Sequence, residues 1–335
     1  MTVLADVRPI LLVPYAWIGD FVRCHSVIRI CKERWPDRPV DVLTSTLCAP
    51  LLDYMPGVRK GIVWDLPRRR LALGEQRGLA ARLRAENYAT ALIMSRKWKA
   101  ALAPALAGIP ERVGFVGELR YGLLTDARAG ERTLQRMIDR CAMLALPLNA
   151  KLPERWPLPE LVVLRQEISN WLTRRGLTGE KRPVVVLCPG AVGPGKRWPE
   201  TRYAELARLL KAEGVSVWVV GGPGEKTIAE EISAGGKSAR DLTGDDLRNG
   251  VLAIAAADAV VSNDSGLLHV AAGIGTPVVG LFGPTSPWHD GPLNQIAAIV
   301  EAPWRGAEGD FRGRTTEDIP VEQVLAAVRK ALKRA

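Results

Sequence analysis

The sequence predicts an α/β protein built from two doubly wound, Rossmann-like halves in tandem, and three observations carry that expectation. Short, largely β-branched apolar runs alternate with stretches of helical periodicity, and within the runs apolar residues follow one another without polar alternation. That pattern belongs to parallel strands covered on both faces. The alternation occurs twice, on either side of a stretch rich in Pro and charge at 147–183, and the chain's 335 residues exceed what one core usually fills.

The first half offers strands at 10–14 (ILLVP), 40–45 (VDVLTS), 61–65 (GIVWD), 89–95 (ATALIMS) and 111–116 (ERVGFV), with helices near 21–35, 76–87 and 98–107. The second begins with 183–190 (PVVVLCPG) and continues through VSVWVVGG, ARDLTG, DAVVSND and PVVGLFGP, again with helical stretches between. The expected organisation is a first domain over 1–155, a connecting segment with its own helix over 156–182, a second domain over 183–320 and a C-terminal helix over 321–335. In that last helix Val321, Val324, Leu325, Val328 and Leu332 share one face opposite basic residues, which suits packing on a core, with membrane-surface contact the alternative. Ligands of doubly wound sheets bind beyond the carboxyl ends of the strands, so the loops after strands, and the cleft two such halves bracket, are where chemistry is expected.

Composition narrows the classes. Hydrophobic residues at 47% and charged residues at 24% exclude disordered, collagen-like and disulfide-scaffold proteins. No apolar run approaches the ~20 residues that span a bilayer, and the opening MTVLADVRPILLVP lacks the charged region of a leader, so a cytoplasmic protein without an integral membrane segment is expected. The five cysteines, an odd number without C-x-x-C spacing, read as thiols of a reducing compartment. Of the net charge of +10, nearly all lies in residues 1–150, where 23 Lys and Arg face 14 Asp and Glu; residues 151–335 hold 23 against 22. A one-sided basic surface attracts phosphorylated substrate, anionic lipid or nucleic acid, or serves only as solubilising charge.

The most informative stretch is Val260-Val261-Ser262-Asn263-Asp264-Ser265-Gly266-Leu267-Leu268-His269-Val270-Ala271-Ala272. A strand ends near Ser262 and a helix opens at Asp264-Ser265-Gly266, bringing orphan amides and the positive end of a helix dipole together, a site suited to a diphosphate. Ordinary capping by Asp264 and Ser265 explains those two residues equally well. The next strand, from Val278, ends in Gly283-Pro284-Thr285. With that continuation the chain resembles glycosyltransferase family 9, the heptosyltransferases, whose members share a D-[ST]-G-x-x-H-x-A-A block followed by a strand and a G-P-T turn. The resemblance runs from Leu11 to about Leu293, and the stretches Ala49-Pro50-Leu51-Leu52, Ala107–Arg112 and Gly117–Leu124 favour the type II enzymes within the family.

The resemblance implies the GT-B fold, an ADP-heptose donor on the second domain, a phosphorylated lipid A-core acceptor on the first, inverting transfer to the lipopolysaccharide inner core, and work at the cytoplasmic face of the inner membrane. A family relative moving another nucleotide-linked sugar is the alternative. Pro189-Gly190-Ala191-Val192-Gly193-Pro194-Gly195-Lys196-Arg197-Trp198-Pro199 almost spells a P-loop, but Arg197 stands where Ser or Thr would hold magnesium, so an ATPase is rejected. In the family this is the P-G-A…K-R-W-P motif, whose lysine reaches the donor diphosphate, which assigns that role to Lys196, with Gly190 beside it. The loop is one residue shorter than expected of a type II enzyme, and the segment after Leu293 lacks a cysteine-rich stretch of many of them.

Glu225, just past a strand in G-G-P-x-E, corresponds to a ribose-binding glutamate, or else favours its own helix dipole. Leu242, Thr243 and Gly244 correspond to the loop that lines the adenine, and Gly266, Leu267 and His269 complete the donor side, with His269 equally readable as a core histidine. Asp20, at the start of a helix after the first strand, corresponds to the aspartate proposed to deprotonate the acceptor hydroxyl, or else caps its helix. Arg68, Arg69, Arg70, Arg96, Lys97 and Arg120 suit an acceptor bearing phosphates and carboxylates, although any one of them also reads as a solvated surface charge. Trp98 and Trp198 are expected to pack loops rather than stack on sugars. No metal or other cofactor is expected, since a lysine and a helix terminus carry the charge of the leaving group. The three histidines form no H-E-x-x-H, and the first loop holds no G-x-G-x-x-G, which disfavours a zinc hydrolase and a nicotinamide oxidoreductase. A noncatalytic anion-binding or nucleic-acid protein leaves three nucleotide-suited loops unexplained.

Overall fold

The computed structural model describes residues 6–65, 72–233, 237–294 and 297–333, and the chain forms two compact units, Met1–Pro159 and Glu160–Ala335. The first holds strands β1 (Ile10–Val13), β2 (Val40–Thr44), β3 (Val58–Val63), β4 (Thr90–Ile93), β5 (Glu111–Phe115) and β6 (Asp126–Arg128), all parallel in the order β3-β2-β1-β4-β5-β6. The chain winds outward from β1 to β3, then crosses back to lay β4 on the other side of β1. The loops leaving β1 and β4 therefore diverge, which makes the topological switch point of a doubly wound sheet. Both strands are buried at every position, as their uninterrupted apolar runs require, and Leu11, Val13, Ala91 and Ile93 join Leu79 and Leu83 in the core of this unit. Strand β6 was not expected from the sequence. Its three residues, Asp-Ala-Arg, sit at the sheet edge and form no apolar run.

The second unit repeats the winding with β7 (Val184–Cys188), β8 (Ser216–Val219), β9 (Arg240–Asp241), β10 (Ala259–Asn263), β11 (Val278–Phe282) and β12 (Ala297–Glu301) in the order β12-β11-β10-β7-β8-β9. Its switch point lies between β7 and β10, where Ala259 to Ser262 register against Val185 to Cys188. Strand β12, also unexpected, is again an edge strand whose short Ala-rich run carries no clear strand signal.

The helix Arg165–Arg175, expected within the connecting segment, belongs to the second unit. Trp171 is its buried residue: the indole meets Trp218 edge-on at 5.9 Å and its Nε1 donates to Asn249 Oδ1 at 3.0 Å. The C-terminal helix, Val321–Leu332, buries Val321, Val324, Leu325 and Val328 in the core with Leu206, Leu210, Val261 and Val279. Its apolar face is thus covered by protein, and Arg329 on the outer side pairs with Glu213 at 2.5 Å. Val328→Ala should lower the unfolding free energy by ~1–3 kcal/mol in urea titration; an unchanged midpoint would mean the helix is not part of this core.

Candidate active site

The segments that follow β7, β8, β9 and β10, loops and the first turns of the helices they open, carry every expected donor-side residue, and one buried amide organises the first of them. Asn263, the last residue of β10, donates from Nδ2 to the Pro189 carbonyl at 2.7 Å and accepts at Oδ1 from the Trp198 amide at 3.1 Å. It therefore pins both ends of the loop Gly190–Arg197. Arg197 draws the loop in further by donating from Nε to the Ala191 carbonyl at 2.8 Å. Trp198 is buried, meets Tyr203 edge-on at 4.9 Å and donates from Nε1 to the Ile319 carbonyl, so it packs the loop as expected. Gly193 and Gly195 have φ of +122° and +69°, a backbone that a side chain rarely adopts, and the Lys196 stem runs alongside Gly193.

Lys196 ends on Asp264. The buried Asp264 Oδ2 accepts from Lys196 Nζ at 2.6 Å and from Thr285 Oγ1 at 2.7 Å. This corrects the capping alternative for the D-S-G stretch: the helix Gly266–Ile274 has Ser265 at its N-cap position, but Ser265 makes no side-chain cap hydrogen bond among the described residues, and its Oγ lies 3.2 Å from Ser262 Oγ instead. The amides of the first turn and an ammonium fixed beside them make an anion-attracting cluster. Gly266 and Leu267 are half-buried at this turn, while His269, one turn further, is buried.

Gly190 and Glu225 also meet. A Cβ at position 190 would lie 3.0 Å from the Glu225 carboxyl carbon, and one at Gly221 would lie 2.8 Å from Glu225 Cβ, so the Glu225 side chain packs closely on two glycines. Glu225 Oε2 accepts from the Gly222 amide at 2.9 Å, which fixes its direction. The loop after β9 is held from three sides: Leu242 N donates to Val219 O at 2.9 Å, Gly244 N to Gly221 O at 3.1 Å, and Asn249 Nδ2 to Leu242 O at 2.9 Å. Thr243 donates from both N and Oγ1 to Asp241 Oδ1, at 2.8 and 2.6 Å.

In the first unit Asp20 lies in the first turn of the helix Ile18–Arg34, directly after β1 at the switch point. The N-cap position belongs to Trp17, so Asp20 is not the cap; its Oδ1 accepts from Arg23 Nη1 at 2.5 Å, and both side chains are largely buried. Tyr15 shares this environment: burial raises its phenol well above the ordinary range, with Cys141, Glu131 and Asp20 adding to the effect, so the hydroxyl stays protonated. Arg96 pairs with Glu131 at 2.9 Å and the exposed Lys97 with Glu118 at 2.5 Å. Arg68, Arg69 and Arg70 lie outside the described residues.

Arg120 corrects an expectation. It is 1% exposed, and its guanidinium donates to the Phe115 carbonyl from Nε at 3.0 Å and from Nη2, and to the Ser95 carbonyl from Nη1 at 2.5 Å. Burial pushes its pKa down. Glu118 and Leu119, at φ of 45° and 55°, turn the chain so that Arg120 points inward while Leu119 and Tyr121 face solvent. Arg120 ties the end of β4 to that of β5 and is not a surface cation. The sequence gives no role to Asn263 or Thr285, although both stand in the motifs quoted; an Asn closing the strand Ala-Val-Val-Ser-Asn is the available signal. Among the described residues no three His, Cys, Asp or Glu gather as metal ligands.

Two doubly wound parallel sheets in tandem, with their loops gathered at the strand ends, define an α/β protein of the GT-B class. The chain belongs to glycosyltransferase family 9 (heptosyltransferase), whose model matches residues 76–318. Lipopolysaccharide heptosyltransferase 2 of Salmonella typhimurium is 38% identical over 304 residues, covering 87% of each chain, and the protein of the same name from Escherichia coli K12 matches to the same extent. The structure of E. coli ADP-heptose lps heptosyltransferase II superposes with a TM-score of 0.88 at 36% identity, over 97% of this chain and 99% of that one. Arg120→Met, which keeps volume but strands two carbonyls, should cost ~2–5 kcal/mol of stability by urea unfolding; unchanged stability would return Arg120 to the surface role.

Proposed function

We propose that the protein transfers the heptose of ADP-heptose, with inversion at the anomeric carbon, to a hydroxyl of the heptosyl-Kdo-lipid A inner core of lipopolysaccharide, working in the cytoplasm at the inner-membrane face. Family membership and the type 2 relatives support the reaction. The single observation that carries the chemistry is Lys196, held by Asp264 beside the uncapped start of the helix Gly266–Ile274.

In this reading the ADP diphosphate takes the first-turn amides at Ser265 and Gly266 and the Lys196 ammonium, while Glu225 holds the ribose and Leu242, Thr243 and Gly244 line the adenine. Asp20 receives the proton of the acceptor hydroxyl. The acceptor oxygen forms its bond to the anomeric carbon as the bond from that carbon to the ADP oxygen breaks, and the negative charge left on ADP develops against Lys196 and the helix terminus. Arg23 keeps the Asp20 carboxylate oriented through the 2.5 Å ion pair. Arg68, Arg69, Arg70, Arg96 and Lys97 meet the phosphates and carboxylates of the acceptor, which suits the concentration of positive charge in the first half of the chain.

ADP release from ADP-heptose and purified inner-core acceptor is the direct test, run beside a panel of other nucleotide sugars. Turnover confined to another donor would overturn the heptose assignment. Asp20→Ala should lower kcat by ~10²–10⁴-fold while ADP affinity by calorimetry stays within about twofold of the unsubstituted protein. Retained turnover in that variant would remove Asp20 as the base.

A further inference from the structure

We propose that the segment from Ala302 to Ile319 is a positioning strap for Lys196, in which Thr316 sets the loop that carries the lysine and Arg314 anchors the strap. This deepens the reading above, since it concerns how the diphosphate-binding lysine is held in place.

The need for such a device follows from the sequence of the loop. Gly190–Arg197 carries three glycines, and Asn263 fixes only its ends, at Pro189 and Trp198. Glycine backbone is the most costly to order, and the residue to be aimed, Lys196, follows directly on one of those glycines. Arg197 ties the loop across to Ala191, and Thr316, more than a hundred residues later, adds a restraint directly behind the lysine. Its backbone N donates to the Gly195 carbonyl at 2.9 Å and its Oγ1 donates to the same oxygen at 3.1 Å. Thr316 is fully buried, so both donors are shielded from water, while Gly195 itself is half-buried.

The contact is built into the loop after β11 as well. A Cβ at Gly283 would lie 2.5 Å from the Thr316 nitrogen and 2.9 Å from the Gly195 oxygen, so three backbones meet where only glycine fits. Two residues on from Gly283, Thr285 donates to the same Asp264 oxygen that receives Lys196. The lysine loop and the loop after β11 thus close on one carboxylate, and the strap holds the lysine loop from behind through Gly195.

Each end of the strap has its own attachment. The Arg314 side chain is fully buried; its guanidinium stands 3.9 Å from the Trp304 ring centroid and 5.1 Å from that of Phe311. It donates from Nη2 to the Ala302 carbonyl and lies 3.3 Å from the Glu301 carboxylate at the end of β12. At the other end, the Ile319 carbonyl accepts from Trp198 Nε1 at 2.9 Å and Arg202 Nη1 at 2.7 Å, immediately beyond the lysine loop. A segment that merely covered the sheet would need no bond to Gly195.

The test is a double-mutant cycle on nucleotide binding, read by calorimetry with ADP and repeated with inorganic pyrophosphate. Lys196→Ala should weaken ADP binding by ~10–100-fold and Thr316→Val by ~3–10-fold. The double variant should bind as Lys196→Ala alone does, because Thr316 acts only through Lys196. Thr316→Ser, which keeps the hydroxyl, should bind as the unsubstituted chain does. A Thr316→Val affinity equal to that of the unsubstituted chain, or losses that multiply in the double variant, would overturn the strap. If Val at 316 prevents folding, Thr316→Ala enters the same cycle. A chain that shows the coupling with ADP yet fails to turn over ADP-heptose would refute the heptose reading and leave the strap standing.

Discussion

The second unit's strand ends are organised by one buried carboxylate. Asp264 lies beyond β10, at the switch point with β7, and takes hydrogen bonds from an ammonium and a hydroxyl that arrive on two other loops. A buried carboxylate without such partners would be strongly destabilising, so the loops bearing Lys196 and Thr285 are not free to choose their positions. Asn263, its neighbour, does the same work with neutral groups by taking the loop from β7 at both ends. Two adjacent residues at one strand end thereby fix the loops after β7 and β11.

The two units share a winding order and differ in what they place at its switch point. After β7 comes a glycine-rich loop with a lysine; after β1 comes Tyr15 to Asp20, with an acid held by an arginine one turn along its own helix. The fold supplies the location, where two neighbouring loops part, and the residues there supply the chemistry. The connecting helix takes part in the same economy of support. Trp171 donates to Asn249, which in turn holds the Leu242 carbonyl, so the loop after β9 is braced from the helix that leads into the unit.

Much of this was legible in the sequence for physical reasons. Central strands buried on both faces must be continuous apolar runs, and β1, β4, β7, β10 and β11 were read from that alone. Edge strands carry no such obligation, which is why β6 and β12 were missed. The motif stretch around Asp264 announced a helix start, but whether its polar residues cap the helix or leave it open depends on the lysine that reaches Asp264 from 68 residues away. Local sequence holds no record of that partner. Arg120 failed in the opposite sense: charge counting places arginines outside, and only the left-handed turn at Glu118 and Leu119 sends this one into the protein. Thr316 had no signal at all, because its partner is a glycine carbonyl, and a backbone acceptor leaves no mark on composition.

The pairing of Lys196 with Asp264 looks at first like a waste of a cation beside an anion site. Two considerations argue the reverse. A lysine left in solvent retains nearly all of its rotamer freedom, and ordering it on a ligand costs ~2 kcal/mol that the ligand contacts must offset. Held by Asp264, with Gly195 fixed behind it, the ammonium has already lost that freedom. The carboxylate also cancels only part of the local field, since the uncapped amides of the following helix contribute their own positive end and the ammonium keeps donors beyond the one that Asp264 accepts. A preset donor is worth most where charge develops during a reaction, because no reorganisation is then required of it. The cost of the arrangement falls on folding, where a charged pair must be buried, and its return falls on the step in which a diphosphate takes up charge.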